Sequence, residues 1–195
     1  MPLTSNAIQT GSATAAPRRR VFVLGATGTI GQATVRSLLQ RGNEVVCLVR
    51  PRAGVGGALG EADSLQLLSG ATVRFGTVTD PASLARDGFK GEQFDALVSC
   101  LASRTGAPKD AWAVDHQAHV HALEAARAAG VTQVVLLSAI CVQKPLLAFQ
   151  QAKLAFEKVL IESGLTYSIV RATAFFKSLS GQIPGPARQT LFAVR

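Results

Sequence analysis

Short apolar runs alternate with longer amphipathic stretches along this chain, and the alternation predicts strands and helices in turn. Val21 to Leu24 is an apolar run closed by glycine; a helix begins at about Ile30 and is stopped by Gly42. Glu44 to Val49, Thr72 to Phe75, Phe94 to Leu101, Val131 to Ser138 and Leu165 to Val170 have the same strand character. Between them the pattern predicts a short helix at about Ser64 to Ser69 and another starting at Asp80-Pro81. A long helix from about Asp110 to Ala129 and one from about Phe149 to Ser163 follow. Asp80 reads as an N-cap with proline in the first turn. The unbroken run Phe94 to Leu101 is the kind that parallel sheets bury on both faces. Strands and helices at this spacing predict right-handed crossovers and an α/β, doubly wound parallel sheet of Rossmann type, in the order 3-2-1-4-5-6.

The first strand runs into Gly25-Ala26-Thr27-Gly28-Thr29-Ile30-Gly31. Three glycines three apart, between a buried strand and a helix, are a dinucleotide-binding pattern. Gly25 allows the tight turn, Gly28 lets backbone approach a pyrophosphate, and Gly31 lets the helix pack close to the strand. The first amides of the helix and the positive end of its dipole then face the phosphates. Arg50 stands at the end of the second strand, in Arg50-Pro51-Arg52, with no acid before Glu61. NAD-binding chains place a carboxylate there for the ribose hydroxyl. A guanidinium instead forks onto the 2′-phosphate of NADPH.

Composition narrows this further. A chain of 195 residues with 48% hydrophobic and 16% charged residues is globular and has material for one sizeable core. The net charge of +8 is concentrated at the ends, in Arg18, Arg19 and Arg20 and in Lys177, Arg188 and Arg195. Nucleic acid is not expected as a partner, because no basic patch interleaved with aromatics is visible. No apolar run reaches the roughly 18 residues that span a bilayer, which leaves peripheral membrane contact open. Cys47, Cys100 and Cys141 are odd in number and lack metal spacing, so they read as small buried hydrophobes on three strands. His116, His119 and His121 share one helix without a further ligand; no metal is expected, and they read as surface or interface residues. Residues 1–19 are rich in Ser, Thr and Ala and contain no acid, which suits either a disordered arm or the remnant of a transit peptide.

The carboxyl ends of strands one, four, five and six converge on one crevice, where doubly wound folds bind ligands. They deliver the glycine loop, Leu101 to Arg104 with Ala102 and Ser103, Ser138 to Cys141, and Arg171 to Phe175 with Thr173. Lys153 lies one turn into the helix beginning near Phe149 and reaches the same crevice. This combination resembles the atypical members of the short-chain dehydrogenase/reductase superfamily. That superfamily carries a Tyr-x-x-x-Lys pair, and here the pair reads Phe149-Gln150-Gln151-Ala152-Lys153. The resemblance implies that Lys153 is the catalytic-site lysine and binds the nicotinamide ribose. The missing phenol argues against ordinary carbonyl reduction, where charge developing on oxygen needs an acid aimed at it. The lone tyrosine, Tyr167, lies on the sixth strand and reads as a packing residue.

Longer strings narrow the resemblance. Cys100-Leu101-Ala102-Ser103-Arg104-Thr105-Gly106 is followed by Asp110-Ala111-Trp112-Ala113-Val114-Asp115. Leu137-Ser138-Ala139-Ile140-Cys141-Val142-Gln143-Lys144-Pro145-Leu146-Leu147 runs on to Lys153, and Tyr167 to Arg171 and Thr173 to Leu179 complete the set. Over about residues 20 to 182 the chain resembles the divinyl chlorophyllide 8-vinyl reductases of plants and green algae. That resemblance implies an NADPH-dependent oxidoreductase that reduces the 8-vinyl group of divinyl chlorophyllide or protochlorophyllide to ethyl, in the chloroplast, during chlorophyll synthesis. It implies a cofactor set of Gly25, Thr27, Gly28, Thr29, Ile30, Gly31, Arg50, Leu101, Ala102, Ser103, Ser138, Lys153, Arg171 and Thr173. Two departures qualify it. Ala172 stands where the family usually has proline, and residues 183–195 resemble nothing in the family. The reading therefore divides the chain into an arm (1–19), an NADP-binding domain (20–182) and a divergent tail (183–195). It expects a truncated or alternatively spliced product, or a misread gene model, with the C-terminal substrate region largely missing. An exposed sixth strand, uncovered Phe175 and Phe176 and poor solubility would follow. A non-catalytic NADPH-binding sensor, an inactive product, and a reductase of phenylpropanoids or quinones remain as alternatives.

Overall fold

The computed structural model describes residues 17–173. Six strands form one sheet in the expected order: β1 (Arg20–Leu24), β2 (Glu44–Val49), β3 (Thr72–Phe75), β4 (Ala96–Ser99), β5 (Gln133–Ala139) and β6 (Thr166–Ala172). Every neighbouring pair is parallel. The helices are α1 (Thr29–Gln40), α2 (Glu61–Leu67), the short α3 (Pro81–Ser83), α4 (Pro108–Ala111), α5 (Ala118–Ala128) and α6 (Ala148–Glu162).

Successive side chains of β1 enter different layers, as a strand's two-residue repeat requires. Phe22 and Leu24 join the layer beneath α5 and α6 with Leu97, Val134, Leu136 and Phe156. Val21 and Val23 join the layer beneath α1 and α2 with Val35, Val45, Cys47 and Leu68. Phe22, Phe89 and Phe94 form an aromatic cluster with centroids 4.1 to 5.5 Å apart. Such pairs add about 0.5–1.5 kcal/mol each beyond their area burial.

The structure revises several boundaries. Helix α2 starts earlier than its hydrophobic pattern suggests, because the Asp63 carboxylate accepts from the Gly60 amide (2.9 Å) and two acids occupy its first turn. Asp80 caps α3 as expected, accepting from the Ala82 amide at 3.0 Å. The chain then continues through a π-helical turn, Leu84–Phe89. The long helix after β4 is also not uniform, since a second π-helical segment, Trp112–Gln117, separates α4 from α5. Cys141 is on no strand; it is exposed, in a turn beyond β5, with φ of 65°. Tyr167 is not a core residue, being 41% exposed on β6, the edge strand among the described residues, and Val170 further along the strand is 51% exposed. Residues 1–16, Phe175, Phe176 and the tail 183–195 lie outside the described residues.

Arg20 belongs to an ion-pair network at the amino edge of the sheet and is not a free cation. It bonds Glu44 at 2.7 Å and Glu92, while Arg74, nearly buried, bonds Glu92 at 2.6 Å. Hydrogen bonds from Arg74 and then Arg20 hold the Glu92 carboxyl below the usual carboxylate range. A depressed folded-state pKa gives stability that is complete above the unfolded value, near 4.5, and lost as pH falls through the folded value. We expect Glu92→Gln to cost about 1 kcal/mol at pH 7. It should flatten the acid limb of the urea-midpoint profile, and an unchanged profile would count against the network.

Candidate functional site

Two adjoining clefts open at the carboxyl edge of the sheet. The first, about 450 Å3, is lined by Gly25, Thr27, Gly28, Thr29, Arg50, Leu101, Ala102 and Arg104, among others. Gly25 has φ of +73°, and a Cβ there would lie 2.5 Å from the Cys100 carbonyl. A Cβ on Gly31 would lie 2.1 Å from the Gly25 carbonyl oxygen. The strand, the turn and α1 are therefore packed backbone to backbone. Gln32 Nε2 braces the turn by donating to the Thr27 carbonyl at 2.9 Å.

Helix α1 follows Gly28 as its N-cap, with no side-chain cap and no acid in its first turn. A helix start leaves its first amides without intrahelical partners, and here they face a cleft whose lining includes Arg50 and Arg104 and no carboxylate. That arrangement fits the diphosphate and 2′-phosphate of NADPH. Of the expected cofactor residues, Gly31 stands behind the cleft as the packing contact. Ile30, half-buried in the first turn, does not line it.

The second cleft, about 340 Å3, shares Leu101, Ala102 and Arg104 with the first. Ser103, Ser138, Phe149, Lys153 and Thr173 also line it. Phe149 thus presents an unsubstituted ring to the cleft. Lys153, 5% exposed, pairs with Asp115 Oδ1 at 3.0 Å and donates to the carbonyls of Leu101 (3.3 Å) and Leu137 (3.5 Å). The Ser103 amide donates to both Asp115 oxygens, at 3.3 and 3.2 Å. Asp110 ties the next stretch, accepting from the Arg104 and Thr105 amides at 2.9 Å each.

Arg171 lines neither cleft. It bonds the buried Glu157 through Nη2 at 2.5 Å and through Nε at 3.2 Å. Ser138 Oγ donates to Oε1 of that carboxylate at 2.5 Å. The two expected site residues are thus joined through an acid on α6. His119 departs from its expected surface position and is buried in the core. Val114 O only accepts, so Nδ1–H donates to it (2.9 Å) and Nε2 accepts from Ser99 Oγ (2.8 Å). Burial, and then the charge of Lys153, lowers its pKa to about 3. The histidines diverge: His116 lies against Trp112 and His121 hydrogen-bonds Gln117. Burial pushes the Cys47 thiol up to about 12 and also raises that of Cys100, which is only partly buried.

Asp115, the last residue of the string from Asp110, and Glu157 carry no role in any motif of the sequence. Their signal lies in the helical period: Asp115, Ala118, His119 and Ala122 share the buried stripe of one helix, as Lys153, Phe156, Glu157 and Leu160 do on α6. An acid on such a stripe needs a partner.

A family model described as NAD(P)H-binding matches residues 25–184. The divinyl chlorophyllide a 8-vinyl-reductase, chloroplastic, of Oryza sativa subsp. indica is 48% identical over 187 residues, covering 93% of this chain and 46% of its own length. The maize protein of the same name is also 48% identical, covering 93% of this chain and 47% of itself. The chain spans about half the length of these curated relatives. Among solved structures, the Bordetella bronchiseptica enzyme WbmG in complex with NAD superposes with a TM-score of 0.65 at 21% identity, over 85% of this chain and 55% of that one. This likeness shows the fold.

Gly31→Ala should cost about 2 kcal/mol, because backbone must move to admit the methyl. Gly28→Ala, whose Cβ meets the Gly25 oxygen at 3.3 Å, should retain the fold and still lose NADPH affinity. Thermal melts and NADPH titrations separate the two; equal melting temperatures would contradict the packing argument. For His119, the unfolded state takes up its proton at about 6.5 and the folded state at about 3. Stability should therefore fall as pH drops between these values, by up to about 1.4 kcal/mol per pH unit. Replacing His119 with Gln should remove that slope.

Proposed function

The chain belongs to the NAD(P)H-binding family, and from that premise we propose that it uses NADPH to reduce the 8-vinyl group of divinyl chlorophyllide or protochlorophyllide to ethyl. The observation that carries this reading is the second cleft, which adjoins the nucleotide cleft at Leu101, Ala102 and Arg104 and is lined by Phe149 and the buried Lys153. Carbonyl reduction would call for a hydroxyl acid there. A vinyl group conjugated to a macrocycle spreads its developing charge over the ring and needs no such donor. The 46–48% identity with proteins named for this reaction supports the same reading.

NADPH, when bound, supplies the hydride for one vinyl carbon, and a proton reaches the other, leaving an ethyl group and NADP+. Within this reading the amides at the start of α1 hold the diphosphate and Arg50 holds the 2′-phosphate. Residues 20–182 form the cofactor half. Lys153, Ser138 and Thr173 border the reacting end, and Phe149 excludes water from it. Arg171 acts at one remove, through Glu157 and Ser138. The rice and maize relatives are named as chloroplastic, which supports the chloroplast as the place of this work. A cofactor-binding protein without turnover is the second reading, favoured by Lys153 having all three N–H groups engaged within the protein.

Purified protein given divinyl chlorophyllide and NADPH should yield the 8-ethyl product by chromatography. Tight NADPH binding with the vinyl group untouched would overturn the reductase reading in favour of the second. Arg50→Glu should raise the Kd for NADPH by ~10-fold or more, about 1.4 kcal/mol, and leave that for NADH unchanged or lower. Equal loss for both cofactors would remove Arg50 from the 2′-phosphate site.

A further inference from the structure

Lys153 has three N–H donors and spends them on three elements. Asp115 lies on the π-helical segment, Leu101 just beyond β4, and Leu137 on β5. Leu101 lines both clefts, so the ammonium stands at their junction. A dinucleotide with its diphosphate at the start of α1 and its 2′-phosphate at Arg50 extends its other half toward that junction.

Asp115 has no exposed side-chain surface, and its place at the end of the Asp110 to Asp115 string gives it no role by itself. Besides the ammonium it holds the Ser103 amide with both oxygens, so one carboxylate fixes the lysine and the loop between the clefts together. It is carried on Trp112–Gln117, and π-helical turns of this kind recur at functional sites. The other ionisable groups near the lysine are Cys100 at the end of β4, neutral His119 on α5, and Glu157 on its own helix, which Arg171 already neutralises. Among the described residues, Asp115 is the carboxylate in contact with this cation. Deleting one member of a buried pair leaves the other charge uncompensated, a far larger perturbation than removing both.

We propose that Asp115 is a positioning residue: its carboxylate fixes Lys153 Nζ and the Ser103 loop at the junction, so that the nicotinamide half of the cofactor meets the ammonium in one geometry. The inference rests on NADPH binding and is independent of which substrate is reduced.

NADPH and 2′,5′-ADP, a fragment of the cofactor that lacks the nicotinamide half, are titrated into wild type, Asp115→Asn, Lys153→Met and the double variant. Asp115→Asn should weaken NADPH by ~10-fold or more, with fragment binding changed less than about twofold. The double variant should bind NADPH as Lys153→Met does, because the carboxylate acts through the lysine. Equal losses for NADPH and fragment, or additive losses in the double variant, would overturn the proposal. If Asp115→Asn alone does not fold, the double variant against Lys153→Met decides: equal affinity supports the proposal, and a further loss refutes it. No tetrapyrrole enters the assay, so failure of the reductase reading leaves this result untouched.

Discussion

The site depends on the absence of space between β1 and α1. Main-chain atoms of Gly25 approach the end of β4 on one side and Gly31 on the other, closer than any side chain permits. That contact orients the amides at the start of α1 toward the cleft and aligns the ends of β1 and β4, which form its floor. It also explains why a helix start without a side-chain cap persists here. A capping serine or aspartate would occupy the amides that an anionic ligand needs.

From that fixed edge, two acid–cation pairs with buried carboxylates, only one of which has a buried cation as well, organise the second cleft. Asp115 with Lys153 and Glu157 with Arg171 join the π-helical segment, α6, β6 and the ends of β4 and β5. Each acid also receives a neutral donor, the Ser103 amide in one case and the Ser138 hydroxyl in the other. Each desolvated carboxylate is thus compensated by more than its counter-ion, the condition under which buried pairs hold a geometry. The neutral His119, wedged between Ser99, Val114 and Phe156, adds no charge beside the lysine.

Phe149 gives the cleft its chemical bias. It occupies the wall where the resemblance leads one to expect a phenol, so the site offers an apolar surface and a buried cation in place of a hydroxyl acid. That combination suits a flat conjugated acceptor better than a carbonyl, whose oxygen would need a donor.

The sheet order, the glycine turn and the arginine after β2 were legible in the sequence because each rests on local rules. Apolar periodicity marks strands, glycine marks backbone that tolerates no Cβ, and strand order follows from the doubly wound pattern that the strand–glycine-turn–helix start identifies. The π-helical segments, the exposure of Tyr167 and Cys141 and the burial of His119 were not legible, since they depend on which elements lie against one another. The same limit applied to Asp115, Glu157 and Arg171. A carboxylate on a helix reads as surface until its partner is known, and its partners here lie 38 and 14 residues away along the chain. The sequence by itself determined the strand–turn–helix that lines the first cleft. The tertiary structure alone decided how the cleft beside it is charged, because the cost of burying a charge depends on what the folded chain brings to meet it.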